Sequence, residues 1–314
     1  IASILMILSI ALFFLIAGNT SYDAISAAMK IEGNKVVSTL AVLCFTGGLF
    51  IKGGLVPFHG WLPDAYSKSP SSISILLSGI VTKVCGAYVI IRLYSQVFGN
   101  LDRFRIVMIV VGLISIVVGA LTAIGQTNYK RLFAFSSVSQ VGYIILGIGC
   151  GTKLGIIGAI FHLFNHAMFK SLLFVNASSI ENATNETDMT KLGGLQKKMP
   201  VTSATSIIAL LSAAGVPPLA GFWSKLIIII ALWSAGYYVT AIIAIVASVI
   251  TLGYLLLFQR NVFFGKLKEG FNTIREAPAG VIVVSIVLAV ICVIAALVFP
   301  FIMDRYGMDI INIL

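Results

Sequence analysis

The stretch AGVIVVSIVLAVICVIAALVFPFI (279–302) contains no charged residue and a single hydroxyl group. At about 1.5 Å of rise per residue, a helix of that length crosses the roughly 30 Å hydrocarbon core of a bilayer. Outward from it, further apolar runs occupy 1–17, 36–59, 71–97, 104–124, 130–150, 154–178, 201–234 and 237–260, making nine segments. The 314 residues are 59% hydrophobic and only 10% charged, with a mean hydropathy of +1.06. Soluble domains average about 25% charged residues, so a water-solvated fold is ruled out. Chain in lipid must satisfy its own backbone, which leaves helices or a closed barrel. The runs are continuous rather than alternating, and that excludes the barrel. The fold class is an all-α polytopic membrane protein of about nine transmembrane helices.

Two of the nine segments are broken. The second is interrupted at Gly53, Gly54, Pro57 and Gly60, and the seventh at Gly215, Pro217, Pro218 and Gly221. Polar linkers are expected at 18–35, 61–70, 179–200 and 261–278. Residues 1–16 are already apolar, without a basic leader or a small-residue cleavage site, so the start reads as a helix entered partway, in a fragment or a split subunit.

The net charge of +10 does not mark a nucleic-acid binder, because Lys and Arg mostly flank the apolar runs and meet lipid headgroups there. One set of alternate loops carries Lys68, Lys130, Arg131, Lys191, Lys197, Lys198, Arg260, Lys266, Lys268 and Arg275. The other carries Lys30, Lys35, Arg92, Arg103, Arg105, Lys153 and Arg305. The excess on the first side predicts that it faces the cytoplasm and that the C-terminus faces outward. Cys44, Cys85, Cys150 and Cys292 stand singly with no CxxC pair, so no metal, cluster or disulfide framework is indicated and no cofactor is expected.

The informative residues are ionisable groups inside apolar runs. Lys52 lies in LCFTGGLFIKGGLVPF (43–58), Lys83 in LLSGIVTKVCGAYVII (76–91), and Lys225 in PPLAGFWSKLIIIIALW (217–233). His162, His166 and Lys170 share FHLFNHAMFKSLLF (161–174). A lysine at a helix centre costs about 2.5–3.5 kcal/mol on an insertion scale, so four come to roughly 10–14 kcal/mol. Snorkelling to the interface is open to Lys52 and Lys170. Lys83 is too deep for it, roughly 18 Å from the end of its segment. His162, His166 and Lys170 recur every four residues, so they line one helix face over about 12 Å. The histidines could be neutral core imidazoles bonded to carbonyls. A row of titratable groups on one face is also what a proton relay needs, since each hop must be short. Broken segments that each carry a lysine point the same way, because unwound backbone offers carbonyls and helix ends to a charge at membrane depth. All eleven acidic residues lie in loops, linkers or helix ends, so no carboxylate partner for Lys52 is evident.

KGGLVPFHGWLPDAYSKSPSSISILLSGIVTKVCGAYVIIR (52–92) resembles the signature of the antiporter-like membrane subunits of respiratory complex I, Mrp-type sodium/proton antiporters and membrane-bound hydrogenases. NYKRLFAFSSVSQVGY (128–143), HLFNHAMFKSLLF (162–174) and AGVPPLAGFWSKL (214–226) resemble later motifs of that family, in the same order. The resemblance implies a fourteen-helix fold with two inverted five-helix repeats, of which this chain is similar to helices six to fourteen. Residues 1–97 then correspond to the end of the first repeat, 104–260 to the second, and 261–314 to a linker and final helix. The resemblance implies a proton relay through Lys52, Lys83, His162, His166, Lys170 and Lys225, with Ser136, Ser137, Ser139, Gln140 and Ser224 as water-holding neighbours. Lys130 is read as peripheral. FWSK and VTK lean towards the Mrp and hydrogenase branch.

The function expected is that of a proton-translocating subunit of a redox complex, with no redox centre of its own. A subunit of a sodium/proton antiporter driven only by ion gradients is the alternative, and a structural membrane-arm subunit is a third reading. Its partners would be other membrane subunits, the bilayer of a prokaryotic cytoplasmic membrane, and protons or sodium ions.

Overall fold

A computed structural model describes the backbone of residues 1–98 and 102–313, and the side chains of these apart from 95, 96, 102, 103 and 306–313. Arg103 of the charge count therefore lies outside the described side chains. The elements in chain order are α1 (Ala2–Ala17), α2 (Tyr22–Met29), α3 (Lys35–Gly53), α4 (Trp61–Lys68), α5 (Ser71–Leu76) and α6 (Val89–Gln96). They continue with α7 (Asp102–Ile124), α8 (Tyr129–Gly149), α9 (Lys153–Thr184), α10 (Pro200–Ala214), α11 (Ala220–Ser234), α12 (Tyr238–Phe263) and α13 (Ala279–Ile313). Between α5 and α6 the rod continues through two π-type stretches, Leu77–Val81 and Lys83–Tyr88.

Among the described residues, seven helices are long and apolar enough to cross a membrane, or eight if α1 and α2, bent by 72°, count as one span. α10 and α11, with 15 residues each, reach across only in tandem. The all-helical polytopic architecture is thus as expected from the sequence. The 18–35 stretch differs from the linker expected there. Ser21 caps α2 through the Ala24 amide, Asp23 sits in the first turn, and Ile25 and Ala28 bury one face. A helix this short shows no continuous apolar run, so hydropathy alone passes over it. Helix α4 likewise occupies most of the 61–70 linker.

Both breaks use the same local chemistry. Helix α3 ends on Gly54 at φ 69° and α10 on Gly215 at φ 81°, left-handed turns that only glycine adopts freely. Each glycine is followed three residues later by a proline, Pro57 or Pro218, whose peptide bond is cis.

Helix α8 is the axis of the bundle, and of its side chains only Arg131 is not buried. Helices α7 and α9 flank it, α10, α11 and α13 pack around α9, and α12 packs against α10, α7 and α11. The loops at the lower end are stitched together. The Tyr129 amide donates to Thr187 O (3.1 Å), Met189 N to Thr127 O (2.9 Å) and Gly194 N to Phe264 O (2.9 Å). Glu276 accepts from Val201 N at 2.8 Å and Thr202 Oγ1 at 2.6 Å, capping α10. Asp64 on α4 pairs with Arg131 at the start of α8. Loops 61–70, 125–128, 185–199 and 264–278 therefore share one end, as the alternation of basic loops requires.

Candidate functional site

Helix α9 places His162, His166 and Lys170 on one face, and packing against α8, α10 and α11 buries all three completely. The imidazoles of His162 and His166 lie 6.2 Å apart and 16° from parallel. Lys170 Nζ donates to Phe133 O on α8 at 2.7 Å, an oxygen that also accepts from Ser137 Oγ at 3.0 Å.

Lys225 on α11 reaches back across the break. Its Nζ donates to Ala213 O at 2.8 Å, Ala214 O at 3.2 Å and Ser248 Oγ at 3.1 Å. The two carbonyls terminate α10, where the helix dipole is negative and four carbonyls lack intrahelical partners, so a cation is well placed there. The Tyr143 ring centroid is 4.7 Å from Nζ and 5.7 Å from the His162 ring. A glycine at 221 is required by this contact: a Cβ there would meet Ser212 O of α10 at 1.7 Å.

Ser224, one residue before Lys225, connects the two helices. Its hydroxyl lies 3.1 Å from Gly221 O and 2.9 Å from His162 Nδ1. With the hydroxyl donating to Gly221 O, its oxygen accepts from Nδ1–H, which leaves Nε2 of His162 as the basic nitrogen.

Lys83 opens the second π-type stretch, directly after Thr82, and is 2% exposed. Its Nζ donates to Thr82 Oγ1 at 3.2 Å. On α9, His166 stands between His162 and Lys170, four residues from each, and Lys83 and Lys225 are near enough to act on both His166 and Lys170. Both nitrogens of His166 and both side-chain polar atoms of Gln140 are buried without a hydrogen-bond partner among the described residues, as is the hydroxyl of Ser139 on the α7 side of α8. Ser136 faces Tyr254. Buried polar atoms are bonded to protein or to ordered water in nearly all structures, so this part of the bundle is suited to hold water.

The structure thus gathers Lys83, His162, His166, Lys170 and Lys225, with Ser224, Ser136, Ser137 and Gln140 about them, whereas Ser139 sits on the side of α8 that packs against Gly119 of α7. Lys52 is different. It is half-buried in the last turn of α3 and makes no hydrogen bond or ion pair with the other five, nor with any described carboxylate. Lys130, read from the sequence as peripheral, is 1% exposed and donates to Ser69 O at 3.1 Å and to Glu181 at 3.1 Å. Its partner is at the far end of α9, a distance in sequence that no local pattern reveals. Sequence reasoning also missed Ser248, Tyr143 and Asn165, whose side-chain amide donates to Ala220 O at 3.0 Å and so secures the start of α11. A lone serine within the apolar α12 was the only available signal for Ser248.

Such a molecule is a helical bundle of membrane-spanning type, with buried lysines and histidines lying beside broken helices. The family described as "NADH:quinone oxidoreductase/Mrp antiporter, TM" matches residues 1–251, and the chain belongs to it. It is 34% identical to a Na(+)/H(+) antiporter subunit of Alkalihalophilus pseudofirmus over 85% of this chain and 54% of that protein. Identity to an NADH-quinone oxidoreductase subunit of Desulforudis audaxviator is 31% over 89% of this chain and 56% of that one. Among solved structures, a chain of the Mrp complex from Dietzia sp. superposes with a TM-score of 0.90 at 26% identity, covering 99% of this chain and 65% of that chain. A chain of the membrane-bound sulfane sulfur reductase, an archaeal respiratory membrane complex, gives 0.87 at 33% identity, covering 94% and 50%. The chain spans little more than half the length of the relatives it matches.

Proposed function

We propose that this chain is a proton-translocating subunit of a multisubunit redox complex and passes protons through its buried file. One observation carries the reading: Lys83, Lys170, His166, His162 and Lys225 are all buried, the His162 and His166 rings lie 6.2 Å apart, and the nitrogens of His166 and the amide of Gln140 have no hydrogen-bond partner among the described residues. Four of the five lie on α9 or across the α10–α11 break, and unwound backbone at membrane depth is where ion sites form. In this reading Lys83 is the central carrier, the His166–His162 pair relays, and Lys225 is the terminal gate. Neighbouring charges shift the proton affinity of a buried group, so a change at one member triggers release at the next. The two glycine–proline breaks of like spacing support the inverted-repeat reading, with residues 104–260 as one repeat. Lys52 joins as an entry group only when another chain or segment supplies its carboxylate. The cytoplasmic side is the loop end that carries the basic excess.

The test is dye-monitored proton movement in inverted vesicles holding the intact assembly. Redox-driven acidification that Lys225→Ala abolishes supports the proposal, and retained pumping in that variant overturns it. Proton movement triggered by sodium alone, without an electron donor, would replace it with the gradient-driven antiporter reading, which the similarity to the Na(+)/H(+) antiporter protein favours.

A further inference from the structure

At the loop-rich end of the bundle, a cavity of about 600 Å³ opens between residues 189–193 and the 260–268 segment that ends α12. Arg260, Lys266 and Lys268 line it, and all three are exposed. The walls are held close together. The Gly194 amide bonds Phe264 O, and a Cβ on Gly193 would lie 3.2 Å from Lys266 O and 3.6 Å from Lys268 Cγ. Lys268 Nζ is fixed on the Thr190 carbonyl. The Asp188 carboxylate, which acts on Lys191 and Lys268, accepts from the amide and hydroxyl of Thr190 at 2.9 and 2.8 Å. Arg260 and Lys266 have no acidic partner among the described residues.

Three cations converging at the end of a membrane span call for an anion, and the surface leading away from them says which kind. Val249, Gly253, Leu256, Leu257 and Arg260 form an exposed stripe down α12. Gly253 has open space where a side chain would stand, so the stripe carries a shallow furrow below Arg260. A basic hollow continuous with an apolar, lipid-facing helix matches a molecule with an anionic head and an acyl tail. An acidic protein surface would meet polar residues along α12 instead.

We propose that this hollow binds an anionic phospholipid of the surrounding bilayer, with its phosphate on Arg260, Lys266 and Lys268 and one acyl chain over Gly253. The site is independent of the proton file. The test is native mass spectrometry of the intact assembly, titrated with phosphatidylglycerol and, separately, phosphatidylcholine of the same chains. Each basic residue near an anionic headgroup is worth about fivefold, so Arg260→Gln/Lys266→Gln/Lys268→Gln should weaken phosphatidylglycerol binding on the order of a hundredfold and leave phosphatidylcholine unchanged. Gly253→Leu should weaken phosphatidylglycerol severalfold by filling the furrow. Undiminished phosphatidylglycerol binding in the triple variant overturns the proposal. An equal loss in Lys197→Gln/Lys198→Gln/Arg275→Gln also overturns it, since that would mean diffuse attraction. Displacement by inorganic phosphate with Gly253→Leu inert would show a free-anion site, and lipid bound only when a neighbouring subunit is absent would show a protein interface. Either result contradicts the assignment.

Discussion

A Gly221→Ala substitution places a Cβ 1.7 Å from the oxygen and 2.8 Å from the carbon of the Ser212 carbonyl. Real Cβ atoms keep beyond 3.0 Å, so the start of α11 must retreat by about 1.3 Å. Both obstructing atoms are backbone, so no flexible side chain can absorb the clash. Ser224 and Lys225 ride on the displaced turn. The 2.9 Å contact between Ser224 and His162 then stretches to about 4 Å, outside hydrogen-bonding range, and the 2.8 Å bond from Lys225 to Ala213 O is lost with it. Overpacking of this kind costs about 1–3 kcal/mol of stability, whereas misplacing a functional group by about 1 Å costs on the order of a hundredfold in rate. The expected result is an assembled protein whose proton movement in inverted vesicles has fallen roughly a hundredfold, with a modestly lowered melting temperature. Gly280→Ala is the control, because nothing lies within 4 Å of its Cβ and α13 gains at most about 1 kcal/mol of helix propensity. Folded Gly221→Ala protein transporting within about twofold of wild type would refute the claim that the α10–α11 contact sets the position of Lys225.

Two further outcomes follow from the loop end. Glu181→Gln strands the buried Lys130 ammonium and should cost about 3–5 kcal/mol. Lys130→Met leaves a carboxylate that is 31% exposed and can be hydrated, so it should cost less, and the double variant should recover part of the loss in thermal melts of the assembly. In the 186–191 loop, the Asp188 amide and the Lys191 ammonium hold the Glu186 carboxyl below its usual range, and bonds from Thr190 do the same for Asp188. Both carboxylates are depressed, so their contribution is complete above the ordinary carboxylate range and is lost as pH falls through the lowered values. Hydrogen exchange should show the Thr187 and Thr190 amides losing protection only below pH of about 4, and loss near neutrality would contradict this.

Much of the site was legible because its signals are local. A four-residue repeat puts His162, His166 and Lys170 on one face whatever surrounds them, and glycine with proline breaks a helix by backbone sterics alone. Lys83 was legible by its depth in an apolar run. Partners drawn from distant sequence were hidden: Ser248 reaches Lys225 from the next helix, the Tyr143 ring neighbours both Lys225 and His162, and Glu181 pairs with the buried Lys130 from the end of α9. The π-type turns around Lys83 were hidden too, since they depend on how the rod packs rather than on composition. Helix α2 escaped because eight residues are too few to show an apolar period against a polar background.

The central claim is that protons pass through one connected file whose middle is His166, and His166→Leu tests it most directly. Leucine keeps the bulk and removes the imidazole that stands between His162 and Lys170 on α9 and within reach of Lys83 and Lys225. In inverted vesicles with the intact assembly, driven by an electron donor, a connected file predicts loss of at least about a hundredfold in proton movement with assembly and electron transfer components in place. Proton movement at the wild-type rate in His166→Leu would contradict it.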